Sequence, residues 1–215
     1  NTTASNNTGI GYNTMASNTT GADNTSVGAF ALDANTTADN CTAVGKHSLG
    51  ANTTGIENVA VGNYTLDANT TGTHCTAVGY NVLSANTSAV NNVGIGAQAM
   101  SSTTGGAYNV AVGNDALKTA TTGAYNVAIG QSALNKKTTS ASNTAIGSLA
   151  GEVVTTGANN LFLGFEAGKT GSPGGAITTA SNEVCIGDEN ISAANIQVDW
   201  TIASDKRDKT DVNQL

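Results

Sequence analysis

Few residues in this 215-residue chain carry reactive chemistry, and their spacing decides what they can do. Three thiols (Cys41, Cys75, Cys185) and two imidazoles (His47, His74) are the groups able to ligate a transition metal or act as nucleophile and base. A structural zinc site draws its ligands from closely spaced Cys and His pairs. Here no Cys/His cluster has that spacing, so a metal site finds no support, and the histidines read as surface residues. No acidic pair recurs at a fixed interval, which removes the two-carboxylate arrangement of a glycosidase. Neither a phosphate-binding Gly-x-x-x-x-Gly-Lys-Ser/Thr loop nor a calcium-binding Gly-Gly-x-Gly-x-Asp repeat occurs. Triplets such as Asn18-Thr19-Thr20 and Asn69-Thr70-Thr71 have the form of glycosylation acceptors, but they recur so regularly that they read as corner residues of a repeat. No cofactor, no metal and no enzymatic activity is expected of the repeat itself.

Composition narrows the class. Charged residues make up 11%, about half the usual share, aromatics 4%, and there is one proline. Thr, Ala, Asn and Gly together exceed half of the chain. An ordinary enzyme core, which needs large apolar side chains, is disfavoured. Charge-driven disorder is disfavoured too, because the net charge is only -7 and hydrophobic residues reach 39%. Collagen is excluded, since glycine is not every third residue. No apolar run is long enough for a transmembrane helix, and no secretory signal pattern opens the sequence. A pI near 4.5 argues against a nucleic-acid groove.

The elements that position these residues follow from a repeat. A glycine preceded by Val, Ile or Leu recurs at Gly11, Gly28, Gly45, Gly62, Gly79, Gly96, Gly113, Gly130, Gly147 and Gly164, always 17 residues apart, and again at Gly187 after 23. The six extra residues fall around Gly171-Ser172-Pro173-Gly174-Gly175. Just before each glycine stands an aliphatic residue, and two places earlier a Thr, Val or Leu. Between them lies a small column (Gly9, Ser26, Ala43, Ala60, Ala77, Gly94, Ala111, Ala128, Ala145). This alternation reads as a strand, with the aliphatic columns expected inside. Four places after the glycine, Met15, Leu32, Leu49, Leu66, Leu83, Met100, Leu117 and Leu134 form a second core column. Asn four places before it, and Thr eight places after it, suit corners and axial hydrogen-bond ladders. Seventeen residues accommodate two short strands and two turns. The fold class is therefore all-β: a parallel β-solenoid, or β-roll, of about eleven 17-residue rungs, on the order of 50 Å long at ~4.8 Å per rung.

That frame places the remaining chemistry. Cys41 and Cys75 stand two rungs apart, roughly 9.6 Å, beyond the ~7 Å reach of a disulfide, and read as free thiols. Cys185 belongs to the small column and should be buried. Adjacent Thr-Thr pairs point to opposite faces of a strand, so an ice-binding array, which wants Thr-x-Thr, is disfavoured. Each rung offers only about two large apolar side chains, a thin core for the chain entropy it must offset. The Ala/Gly column would let another backbone approach, which predicts a lateral partner, most simply two further copies around a three-fold axis. The variable large residues just after the glycines, Tyr12, Phe30, Lys46, His47, Tyr64 and Tyr80, are expected to face solvent as candidate receptor contacts.

The unit Asn-x-Ala-Val/Ile-Gly-x-x-Ala-Leu resembles the head repeats of trimeric autotransporter adhesins, and with Asn-Thr-Thr-Gly between strands it is similar to repeats of bacteriophage tail fibres. The resemblance covers about residues 1–191, the β-solenoid shaft, and implies a left-handed homotrimeric roll. After a connector, 192–203, the stretch Ser204-Asp205-x-Arg207-x-Lys209-Thr210-Asp211 resembles the opening of the endosialidase-type intramolecular chaperone, of which 204–215 would be a truncated start. In that family a Ser attacks the peptide bond on its own N-terminal side, with a Lys five residues on as base. Ser204 and Lys209 match those positions, so the resemblance implies self-cleavage after Ala203. The sequence also opens mid-rung, as expected of a segment of a longer fibre. The implied function is a structural and adhesive shaft of a phage tail fibre on the virion or an extracellular surface. Its implied partners are two copies of itself and a glycan or protein receptor on a host cell, without nucleic acid or membrane insertion. The alternative is the head of a bacterial trimeric adhesin.

Overall fold

A computed structural model describes residues 3–172 and 174–193. Within them the chain is all-β, without a helix. Its strands are β1 Thr8–Ile10, β2 Thr25–Val27, β3 Thr42–Val44, β4 Val59–Val61, β5 Thr76–Val78, β6 Val93–Ile95, β7 Val110–Val112, β8 Val127–Ile129, β9 Thr144–Ile146, β10 Leu161–Leu163 and β11 Val184–Ile186. They form one parallel sheet in sequence order, and each residue pairs with its equivalent one repeat on, as Val110 pairs with Val127 and Val127 with Thr144. The recurring glycines therefore stand in single file, as the 17-residue register predicts. The longer last repeat is a loop: Ile177 N–H donates to Gly168 O at 2.9 Å, the bond that Val154 makes to Gly151 at 3.1 Å, so the extra residues are looped out between Gly168 and Ile177.

Two expectations fail. Each coil has one three-residue strand, not two. The Leu column, assigned to a second strand, lies in the left-handed region instead, with Leu66 at φ 50° and Leu83 at φ 50°. Two further files per coil are left-handed as well, five places before the glycine (Glu57, φ 58°) and two places after it (Tyr64, φ 59°). A left-handed L-residue costs roughly 1–2 kcal/mol. Repeated in register, it curls the chain tightly enough for every peptide to meet the coils above and below it.

The second failure concerns the faces. The small strand column points inward and is fully buried (Ala43, Ala60, Ala77, Ala111, Ala128 and Ala145 at 0% exposure), so it offers nothing to a partner. The aliphatic columns on either side point out. The reason is room. The leucines cross the narrow interior from the opposite turn, and little more than a methyl fits facing them. A Cβ added to Gly94 would already lie 2.6 Å from Val82 Cγ1 and 3.4 Å from Met100 Cε. The Leu column is the core, as expected: Leu32, Leu49, Leu66, Leu83, Met100, Leu117 and Leu134 are inaccessible.

Hydrogen-bond ladders hold the coils in register. Asn92 Oδ1 accepts Asn109 N–H at 2.9 Å, Asn109 Oδ1 accepts Asn126 N–H at 3.0 Å, and Asn126 Oδ1 accepts Asn143 N–H at 3.0 Å. The threonine hydroxyls donate to the carbonyl of the next threonine in their file: Thr19 to Thr36 at 2.8 Å, Thr36 to Thr53 at 3.0 Å, and so on to Thr138 and Thr155 at 3.3 Å. A third file, Asn18, Asn35, Asn52, Asn69 and Asn86, is buried, and Asn86 Nδ2 donates to Asn69 Oδ1 at 2.8 Å. It stops at Thr103, whose hydroxyl turns to Ala120 O instead, leaving Asn86 Oδ1 buried without a donor. Thr103→Asn would let Nδ2 reach both Asn86 Oδ1 and Gly106 O, as Asn69 reaches Asn52 and Gly72. The expected gain is about 1 kcal/mol, read from the denaturant midpoint.

Farther along the same file sits Lys137, fully buried, its ammonium donating to Ser140 O. Burial pulls its pKa down from 10.5 to about 8. Because the folded pKa lies below the unfolded one, folding disfavours the charged amine. The penalty is complete below pH 8 and fades as pH rises towards 10.5. At ~1.4 kcal/mol per pKa unit it is on the order of 3 kcal/mol. Lys137→Met is expected to raise stability at pH 7 by that order and to remove the rise that the parent shows between pH 8 and 10.5. Parallel melts of the two proteins across that window read the difference directly, since other titrating groups cancel.

Candidate binding surface

The rod carries its distinctive chemistry as files running along the axis. Left-handed residues two places after each glycine project outward, and in five successive coils this corner holds a ring. Tyr12 meets Phe30 edge-on at 5.3 Å, Phe30 stacks on His47 at 5.0 Å, His47 stacks on Tyr64 at 5.5 Å, and Tyr64 meets Tyr80 edge-on at 6.2 Å between centroids. Lys46 lies over the Tyr64 ring with Nζ 5.8 Å from its centroid. The structure thus brings together the six residues singled out after the glycines. Tyr12, Lys46 and Tyr80 are exposed, while Phe30, His47 and Tyr64 are half-buried in the stack. Each ring pair adds a cross-strand contact of the kind worth a few tenths to one kcal/mol. Beside the stack, Asp33 and Asp67 flank Gly50. Burial pushes the Asp67 carboxyl up, His47 opposes this, and Asp33 adds to it.

A second ring pair escaped the sequence reading. Tyr108 and Tyr125 occupy another corner file, five places before the glycine, and stack at 5.0 Å with planes 2° apart. Their identical offset from Gly113 and Gly130 was the available signal. In the same file His74 Nε2 lies 3.1 Å from Glu57 Oε2.

The widest file is the outer sheet face. Strand positions one and three turn outward over all eleven strands, giving two parallel files of Thr, Val, Ile and Leu without a charge. Ile10, Ile95, Ile129, Ile146, Val184 and Ile186 are between 39% and 62% exposed, where the sequence reading placed buried side chains.

The thiols behave as small residues. Cys41, Cys75 and Cys185 are free and buried. Cys41 Sγ reaches Gly55 O at 3.3 Å and Cys75 Sγ reaches Ala89 O at 3.4 Å, the carbonyls that an Asn amide bonds in other coils. Burial pushes both thiols up, away from reactive thiolate. Among the described residues no group of three or more His, Cys, Asp or Glu is placed to hold a metal ion, and no helix is long and apolar enough to cross a membrane. Ser204 and Lys209 lie outside the described residues. No protein-family model, curated protein or solved structure matches the chain.

Proposed function

We propose that the chain is a structural and adhesive element, the left-handed β-solenoid shaft of a bacteriophage tail fibre that takes part in host attachment as a homotrimer. The outer sheet face carries the reading. An uncharged β-branched strip along the whole stack is costly to leave in water, and large exposed apolar strips mark association surfaces. A homotrimer would cover three such strips against one another. The partner surface is then the Val/Ile files, not the Ala/Gly file. The aromatic stack, with Tyr12, Lys46 and Tyr80 exposed at another corner, remains free for a receptor, and three copies of a weak site gain avidity.

Light scattering on the intact chain tests this. The expected species has about three times the 21.3 kDa chain mass. Val112→Lys and Ile129→Lys, both on the outer face, are expected to dissociate it while strand content is kept. A stable monomer of the parent protein would overturn the proposal.

A further inference from the structure

The Tyr108–Tyr125 pair ends in an open position. The two rings are parallel and about one coil apart, so they lie across the rod axis. The second face of Tyr125 therefore looks along the axis towards the next residue of its file. That residue is Ser142, followed by Asn159 and Asn182, all too small to cover a ring. A groove of about 360 Å³ opens there. Leu161 and Val184 supply apolar lining, and Ser142, Asn159, Asn182 and Glu183 supply polar groups. Asn159 Nδ2 donates to Asn182 Oδ1 at 2.8 Å, which leaves the Asn182 amide hydrogens and the Asn159 carbonyl oxygen for a ligand. No Lys, Arg or His lines the groove, and Glu183 makes it unfavourable for phosphate, sulfate or carboxylate.

We infer that this groove is a carbohydrate subsite, in which a neutral pyranose ring stacks on the free face of Tyr125. The ligand class follows from the lining. A pyranose presents a C–H face to an aromatic ring and a rim of hydroxyls, which suit paired amides, a serine hydroxyl and a carboxylate. A nucleotide would match the ring but not the charge. The place of the subsite in attachment rests on the fibre reading, whereas its binding chemistry holds for the rod in any oligomeric state.

The test is saturation-transfer NMR and calorimetry on the intact chain with maltohexaose, cellohexaose and mannohexaose, with oligogalacturonate as the anionic comparison. At least one neutral oligosaccharide is expected to bind, and oligogalacturonate is not. Tyr125→Phe, which keeps the ring, should bind within about threefold of the parent, and Tyr125→Ala about tenfold more weakly. Ser142→Tyr should abolish binding by laying a third ring on the open face, with strand content and mass unchanged. Binding of none of the neutral sugars, preference for the anionic one, or unchanged affinity in both Tyr125→Ala and Ser142→Tyr would each overturn the inference. Light scattering on the same samples separates this outcome from failure of the trimer.

Discussion

Gly113→Ala is expected to cost several kcal/mol, more than any other single-methyl change in the rod. Gly113 has φ 135°, where an L side chain is strained by roughly 1–3 kcal/mol. A Cβ there would also stand 2.5 Å from Gly130 O and 2.6 Å from its carbonyl carbon, and both atoms belong to backbone pinned in the sheet. Relief requires separating two coils, which breaks the ladders between them. Gly105 is the internal control, because a Cβ added there meets nothing within 4 Å. Urea unfolding should show Gly105→Ala near the parent midpoint and Gly113→Ala far below it. Matching midpoints would refute the close-approach account. Each coil touches only its neighbours, so the damaged step is also expected to broaden the transition.

Phe162→Ala is the second large effect, about 3–5 kcal/mol, with a cure written in the neighbouring coils. Phe162 occupies the small inward column yet is wholly buried. It fits because the leucine file lapses to glycine on either side of it. A Cβ on Gly151 would lie 2.9 Å from Phe162 Cδ2, and one on Gly168 2.6 Å from Phe162 Cδ1. Gly151 sits at φ 60°, close to the value leucine adopts elsewhere in that file. Gly168→Leu alone should therefore clash with the ring. Combined with Phe162→Ala, it restores the Leu–Ala pairing of the other coils and should recover much of the loss. Melting the two single variants and the double gives the coupling, and additive losses would rule out a shared space.

The coil length and the single file of glycines were readable because a 17-residue register leaves no freedom in which residues stack. The inward direction was not. Val110-Ala111-Val112 alternates perfectly, but alternation says only that the two faces differ. Hydrophobicity favours placing valine inside, and the decision is made by leucines reaching from the opposite turn, which a strand's own pattern does not contain. The missing second strand has the same origin. Leu66 reads as a strand or core residue, and nothing local announces a left-handed leucine. The aromatic stack was half legible: its residues were named as exposed, but Tyr12 and Phe30 sit at different offsets from their glycines, which hid the contact. Lys137 gave no warning, because a lysine between two Thr-rich stretches looks like solvent-facing charge.

Uniform coil length has a mechanical meaning for a fibre. Tension along the rod would peel one turn at a time, each release paying out 17 residues, roughly 55–60 Å of extended chain. A pulling experiment should record a sawtooth of nearly equal teeth, with one longer tooth near 80 Å where the 23-residue turn lets go. Such a rod dissipates a tug in small instalments and can rewind from the turns that remain.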